Sequence, residues 1–152
     1  MNVETGLGRL GSMSKEDDEL FGPEHVRVYR ETDGEHGYHW RGTTVLLLTT
    51  IGRKSGEERT TPLIHRNDGD RYVIIASKGG AADHPAWFKN LSENPERIEI
   101  QVEGERFPVT ASVAEGPERE RLWKLMTEVW PDYDDYQTKT DRQIPVVVLD
   151  RT

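Results

Sequence analysis

Two short stretches of this chain carry the residue types that hold anions. In "IGRKSG", residues 51–56, Arg53 and Lys54 stand between Gly52 and Gly56, with the hydroxyl of Ser55 beside them and Arg59 just beyond. Glycine lets the backbone reach positive φ and turn its N–H groups outward, and the planar fork of an arginine suits two phosphate oxygens at once. In "SKGG", residues 77–80, the hydroxyl of Ser77 and the ammonium of Lys78 precede Gly79 and Gly80. The chemistry that both stretches offer is capture of a phosphate by charge and backbone donors together. Neither is a P-loop, because Gly-x-x-x-x-Gly-Lys-Ser/Thr does not occur and the setting is strand to strand. Either bend alone also reads as solvated cations that keep a sheet edge from aggregating. Their presence as a pair in one acidic chain favours a ligand.

A third group is aromatic. Trp130, Tyr133 and Tyr136 recur every third residue in "WPDYDDYQTKTDR", a spacing that brings them near one face of a helical turn. A tyrosine phenol, with an ordinary pKa near ~10, stays protonated at neutral pH and can donate a hydrogen bond or a proton to an acceptor oxygen. The same three side chains can equally serve as packing over a barrel mouth. His36 and His39 lie in a polar loop without an evident carboxylate partner, and no metal site is expected. His65 and His84 stand alone and are expected to be structural. Without cysteine there is no thiolate ligand, thiol nucleophile or disulfide.

These groups need a rigid carrier, and the pattern around them is mainly β. Thr43–Ile51 is apolar on both faces and reads as a buried strand. Glu58–Arg66 follows across the glycine-framed turn, and "NDGD" then leads into Arg71–Ser77. Arg97–Glu103 and Phe107–Val113 alternate about the turn at Gly104, and Gln143–Leu149 is a sixth strand. Short helices are predicted from Pro23 to about Gly34, over Pro85–Asn94 and after Pro117, each opened by a proline. Residues 131–142 fit no core pattern. The expected fold is α+β, a six-stranded antiparallel β-barrel with short flanking helices.

The whole chain has 152 residues, enough for one domain, and a net charge of −8. The charge is uneven: residues 1–36 carry −5, residues 37–90 carry +3 and residues 91–152 carry −6. An acidic protein repels nucleic acid, whereas a locally basic middle suits a small anionic ligand. Residues 1–22 read as a flexible acidic tail ahead of a single domain over 23–152, with "GSMS" at 11–14 open to being a cloning remnant. No stretch approaches the roughly 20 apolar residues of a membrane span, and a cytoplasmic location is expected.

The ordered pair "TTIGRKSG" and "ASKGGAADHPAW", with the ending "DYQTKTDRQIPVV", resembles the deazaflavin-dependent nitroreductase family of the split β-barrel flavin-binding superfamily, over about residues 43–150. The resemblance implies a split barrel in which Arg53, Lys54, Ser55 and Arg59 bind the phosphate and acidic tail of coenzyme F-420, an 8-hydroxy-5-deazaflavin. It implies that Ser77, Lys78, Gly79 and Gly80 line the phosphate and ring side and that Trp87 packs nearby. It also places Trp130, Tyr133 and Tyr136 against a small hydride acceptor, with Tyr133 and Tyr136 orienting or protonating it. Where the family pattern has tyrosine this chain has Trp130, which lacks an acidic hydroxyl, so quinone or enone acceptors are expected ahead of nitro compounds. FMN is the alternative cofactor, and a non-catalytic deazaflavin-binding module is the alternative function. A monomer or homodimer is expected.

Overall fold

The computed structural model describes residues 15–152. The strands are β1 His39–Trp40, β2 Thr43–Ile51, β3 Glu58–Asp68, β4 Arg71–Ile75, β5 Glu99–Val102, β6 Glu105–Val113 and β7 Val146–Arg151. They run in the order β1-β2-β3-β4-β7-β6-β5, and β2 also pairs with β5. Six antiparallel strands therefore close into a barrel, with β1 as a short extra strand on β2. Closure leaves the six strands without a free edge.

The doubly apolar run in β2 follows from its place between two cores. Leu46 and Leu48 point into the barrel with Ile74, Ile100, Phe107, Val109, Val147 and Leu149. Val45 and Leu47 point the other way, under Tyr29 of helix α2, Gly22–Glu31, which follows a single turn α1, Lys15–Asp18. The fully buried Tyr29 donates to the Val45 carbonyl at 3.0 Å and accepts the Glu103 N–H at 2.8 Å, locking this helix to β2 and to the β5–β6 turn.

Helix α3 is Ala86–Glu93, α4 is Gly116–Thr127 and α5 is Asp132–Thr138. The last two cover the outer face of β4 and β7, where Leu122, Met126 and Tyr133 meet Val73, Ile75, Val146 and Val148. Asp68 at the end of β3 accepts from both Arg71 and Arg121 and so pins α4 to the β3–β4 hairpin. The two guanidinium groups hold its carboxyl well below the usual carboxylate range.

The structure shifts some expected boundaries, each for a local reason. The final strand begins at Val146 and not at Gln143. Ile144 spends its N–H on the Gln137 amide oxygen at 2.9 Å and its carbonyl on Arg119 at 2.7 Å, and Pro145 has no N–H to give. The predicted strand to Ser77 ends at Ile75, because Ser77 turns to φ −83°, ψ −41°. Residues 131–142, without a core pattern in sequence, contain α5.

Of the expected N-terminal tail, residues 1–14, including "GSMS", lie outside the described residues. Within residues 15–22, buried Asp17 meets His36 Nδ1 at 3.2 Å, so this histidine does have a carboxylate partner. The Arg41 N–H donates to Asp18 at 2.7 Å, and the Trp40 indole N–H donates to the Leu20 carbonyl at 3.0 Å. Among the described residues no group of three or more His, Asp or Glu is placed to hold a metal, and no helix is long and apolar enough to cross a membrane.

Candidate functional site

The β2–β3 bend is built mostly from its own backbone. Gly52 N–H donates to the Glu57 carbonyl at 2.7 Å and Gly56 N–H to the Gly52 carbonyl at 2.8 Å, with Gly56 at φ 76°. The Ser55 hydroxyl accepts from the Glu57 N–H at 3.1 Å and from Arg59 at 3.4 Å. A Cβ on Gly52 would come within 2.7 Å of that hydroxyl and displace it from the turn. Support from a distance comes from Asn90 of α3, buried beneath the bend. Its amide oxygen accepts both the Arg53 N–H, at 3.1 Å, and the Arg53 guanidinium, at 3.0 Å.

The bend after β4 is supported from elsewhere. Ser77 is in the right-handed helical region, Lys78 at φ 48° and Gly79 at φ 63° are left-handed, and Gly80 lies at φ 85°. A right-handed residue followed by a left-handed one turns successive N–H groups toward one point, a concavity suited to an anion. Positive φ at a lysine is uncommon and persists only where the surroundings impose it. Gly80 does not line the cleft. It backs onto α5, where an added Cβ would lie 2.6 Å from the Tyr136 carbonyl oxygen.

Two adjoining clefts connect these bends. One, of about 560 Å³, is lined by Arg53, Lys54, Ser55, Arg59 and Asn90. The other, of about 380 Å³, is lined by Ser77, Lys78, Gly79 and the aromatic residues of the mouth. Thr61 and Trp87 line both, so the clefts meet at these side chains. Trp87 is also part of the barrel core. Among the described residues Arg53, Lys54 and Lys78 have no carboxylate within ion-pair distance, unlike Arg66, Arg71, Arg106 and Arg121. The second cleft has an apolar wall of Val45, Pro62, Leu63, Ile64 and Ile75.

The mouth gathers aromatics from separate segments. Trp40 stacks on Trp130, with ring centres 5.9 Å apart, while Phe21 and His25 of the N-terminal segment complete the rim. Tyr133 and Tyr136 meet edge to face at 6.1 Å. Burial raises the Tyr133 phenol above its ordinary pKa, so it is a neutral group at physiological pH. The Trp130 indole N–H donates to the Tyr136 hydroxyl at 3.3 Å. An indole nitrogen only donates, so this contact leaves the Tyr136 proton unspent.

A family model described as F420H(2)-dependent quinone reductase matches residues 22–151. The chain belongs to that family. An F420H(2)-dependent quinone reductase of Mycobacterium tuberculosis is 44% identical over 131 residues, covering 84% of this chain and 87% of the relative. A solved structure of an F420-H2 dependent reductase, FDR-A, superposes with a TM-score of 0.63 at 44% identity, over 70% of this chain and 93% of that one. Another, described as a domain-swapped dimer, matches with a TM-score of 0.67 at 41% identity, over 82% of this chain and 92% of that one.

The donor set fits the cofactor that gives this quinone reductase family its name. Unpaired cations flank one cleft, an anion-shaped bend opens on the next, and an apolar wall lies beyond. Sequence reasoning missed Asn90, Trp40 and Arg142, the last a residue of the "DYQTKTDRQIPVV" ending. Asn90 is three residues after Trp87 on one helix face, a signal that the helical period contains. Nothing local marks Trp40, whose place at the mouth comes from β1 pairing with β2.

Proposed function

We propose that this chain is an oxidoreductase that transfers a hydride from reduced coenzyme F-420 to a quinone. The observation that carries the reading is the meeting of the two cationic bends in clefts that share Thr61 and Trp87. Arg53, Lys54 and Arg59, with Ser55 shaping the turn, hold the phosphate and acidic tail. Ser77, Lys78 and Gly79 hold the part next to the ring, with Trp87 between them, and Gly80 fixes the bend against α5. When bound, the deazaflavin supplies a hydride from one ring carbon and has poor access to one-electron or oxygen chemistry.

The remaining work belongs to the protein. Val45, Pro62, Leu63 and Ile64 offer a dry wall for a flat, uncharged acceptor, and Trp40, Trp130 and Phe21 close over it. Reduction of a quinone consumes one hydride and delivers a proton to the oxygen that becomes anionic. Tyr136 donates that proton and is reprotonated from solvent, while Tyr133 orients the acceptor as a neutral hydrogen-bond donor. Tyr136→Phe is expected to lower turnover roughly tenfold or more, with F-420 affinity kept, since general-acid help is worth about 10²–10⁴ and water replaces part of it.

The decisive experiment is single-turnover oxidation of the protein-bound reduced cofactor by menadione. Return of the oxidised cofactor's absorbance supports the reading. Tight binding without oxidation across a panel of quinones and enones favours a carrier module. FMN also has a phosphate for the bends, but the family favours the deazaflavin, and a yellow purified protein would speak for FMN. A cytoplasmic location belongs to the same proposal, on the ground of a cysteine-free chain. The barrel closes within one chain through the β2–β5 pairing, so the reading needs no partner copy.

A further inference from the structure

We infer that Arg142 is a positioning residue for cofactor binding: its guanidinium ties down the back of the bend at Ala76–Ala81, so that backbone N–H groups face the cleft, and His84 completes the clamp. This rests on the proposed role of Ser77–Gly79 in holding the cofactor.

Every nitrogen of the Arg142 side chain is engaged. Nε donates to the Ala81 carbonyl at 2.8 Å, one terminal nitrogen to the Ala76 carbonyl at 3.2 Å and to His84 Nδ1 at 3.0 Å, and the other to the Ser77 carbonyl at 2.7 Å. The peptide bonds here are trans. In a trans peptide the C=O and N–H point in opposite directions. With the carbonyls of Ala76 and Ser77 drawn to the guanidinium, the N–H groups of Ser77 and Lys78 are turned away from it. On that other side Ser77, Lys78 and Gly79 line the cleft.

The clamp also accounts for the strained backbone. Lys78 adopts φ 48°, which a lysine holds only when its neighbours determine it. Arg142 supplies that determination from one side, and Tyr136, backed against Gly80, from the other. The role needs the fork of an arginine. A lysine ammonium is a single point and cannot reach three carbonyls spread over six residues in a fixed plane.

His84 gives the clamp a dependence on pH. Its Nδ1 must be unprotonated to accept from Arg142. Burial, then the charges of Arg142 and Lys89, lower its proton affinity against the opposing pull of Asp83, while the Phe88 ring lies against it, tilted by 50° with ring centres 4.8 Å apart. The clamp is therefore complete at neutral pH. Below the ordinary histidine value of ~6.5, protonation removes the acceptor and sets a second cation against Arg142.

The test is titration with F-420, followed by its fluorescence, on wild type, Arg142→Lys, Arg142→Met and His84→Asn. Both Arg142 variants are expected to bind roughly tenfold or more weakly at pH 7, without rescue by lysine. Wild-type affinity is expected to fall from pH 7 to pH 5. His84→Asn, whose amide oxygen accepts at any pH, should flatten that fall. Comparing the two proteins cancels the titration of the cofactor itself. It also cancels the acid destabilisation from His65, which is fully buried with its pKa lowered to about 4.

A folded Arg142→Met that binds within twofold of wild type overturns the clamp. An unchanged pH slope in His84→Asn overturns its histidine arm. If the Arg142 variants fail to fold, the His84→Asn profile decides. A wild type that binds no F-420 overturns the cofactor reading itself, and the clamp falls with it.

Discussion

The two glycine-and-lysine bends look alike in sequence and differ in how much of their support comes from outside. The Gly52–Gly56 bend closes on itself through Gly52, Ser55, Gly56 and Glu57, and leaves Lys54 exposed and Arg53 half-exposed. The Ser77–Gly80 bend also has turn bonds of its own, Gly80 N–H to the Ser77 carbonyl at 2.9 Å and Ala81 N–H to the Lys78 carbonyl at 3.1 Å, but it is clamped in addition by Arg142 behind it and by Tyr136 against Gly80. The first can therefore accommodate a variable acidic tail, whereas the second presents a fixed set of donors beside the reacting ring. Similar residues give a compliant grip in one place and a preorganised one in the other.

Removing the compliant grip should have the largest effect. Arg53→Ala/Lys54→Ala deletes two charge-assisted contacts worth about 1.5–3 kcal/mol each. Fluorescence titration should show F-420 binding weakened roughly a hundredfold or more, with the circular dichroism spectrum unchanged. Equal affinity would remove this bend from the site.

The contrast in support is sharpened by two glycines of similar φ. At Gly80 a new Cβ would meet the backbone of Tyr136 at 2.6 Å, whereas at Gly56 it meets nothing within 4 Å. Gly80→Ala should cost about 2 kcal/mol or more, a fall in Tm of roughly 4–8 °C. Gly56→Ala should cost only about 1 kcal/mol, the penalty of positive φ alone. Similar melting temperatures for the two variants would break the distinction.

The smallest effect is expected at the Asn90 support of the first bend. Asn90→Ala removes the acceptor for the Arg53 backbone and guanidinium, two hydrogen bonds of about 1 kcal/mol each. F-420 affinity should fall by roughly tenfold or less. A loss as large as that of the double variant would show that this bend, too, is held from outside.

The difference between the bends also explains what the sequence made legible. Six strands, the β2–β3 turn and its exposed cations could be read because alternation, glycine placement and charge act over a few residues. Tyr136 and Tyr133 were found by their spacing, but their environment was not. The stack of Trp40 on Trp130 joins residues 90 positions apart. Arg142 had no visible role because its partners, Ala76, Ser77, Ala81 and His84, precede it by about 60 residues and are mostly backbone carbonyls, which no side-chain pattern encodes. The early end of β4 and the late start of β7 have a related origin, since the Ser77 carbonyl goes to Gly80 and Arg142 and both backbone groups of Ile144 go to side chains, not to a neighbouring strand.

The central claim is that both bends grip one cofactor, the outer bend by its phosphorylated acidic tail and the inner bend beside its ring. Parallel titrations with intact F-420 and with the deazaflavin chromophore lacking that tail address this most directly. Intact cofactor should bind wild type roughly a hundredfold or more tightly than the truncated form, and most of that advantage should vanish in Arg53→Ala/Lys54→Ala. Equal affinity for the two forms in wild type would contradict the account.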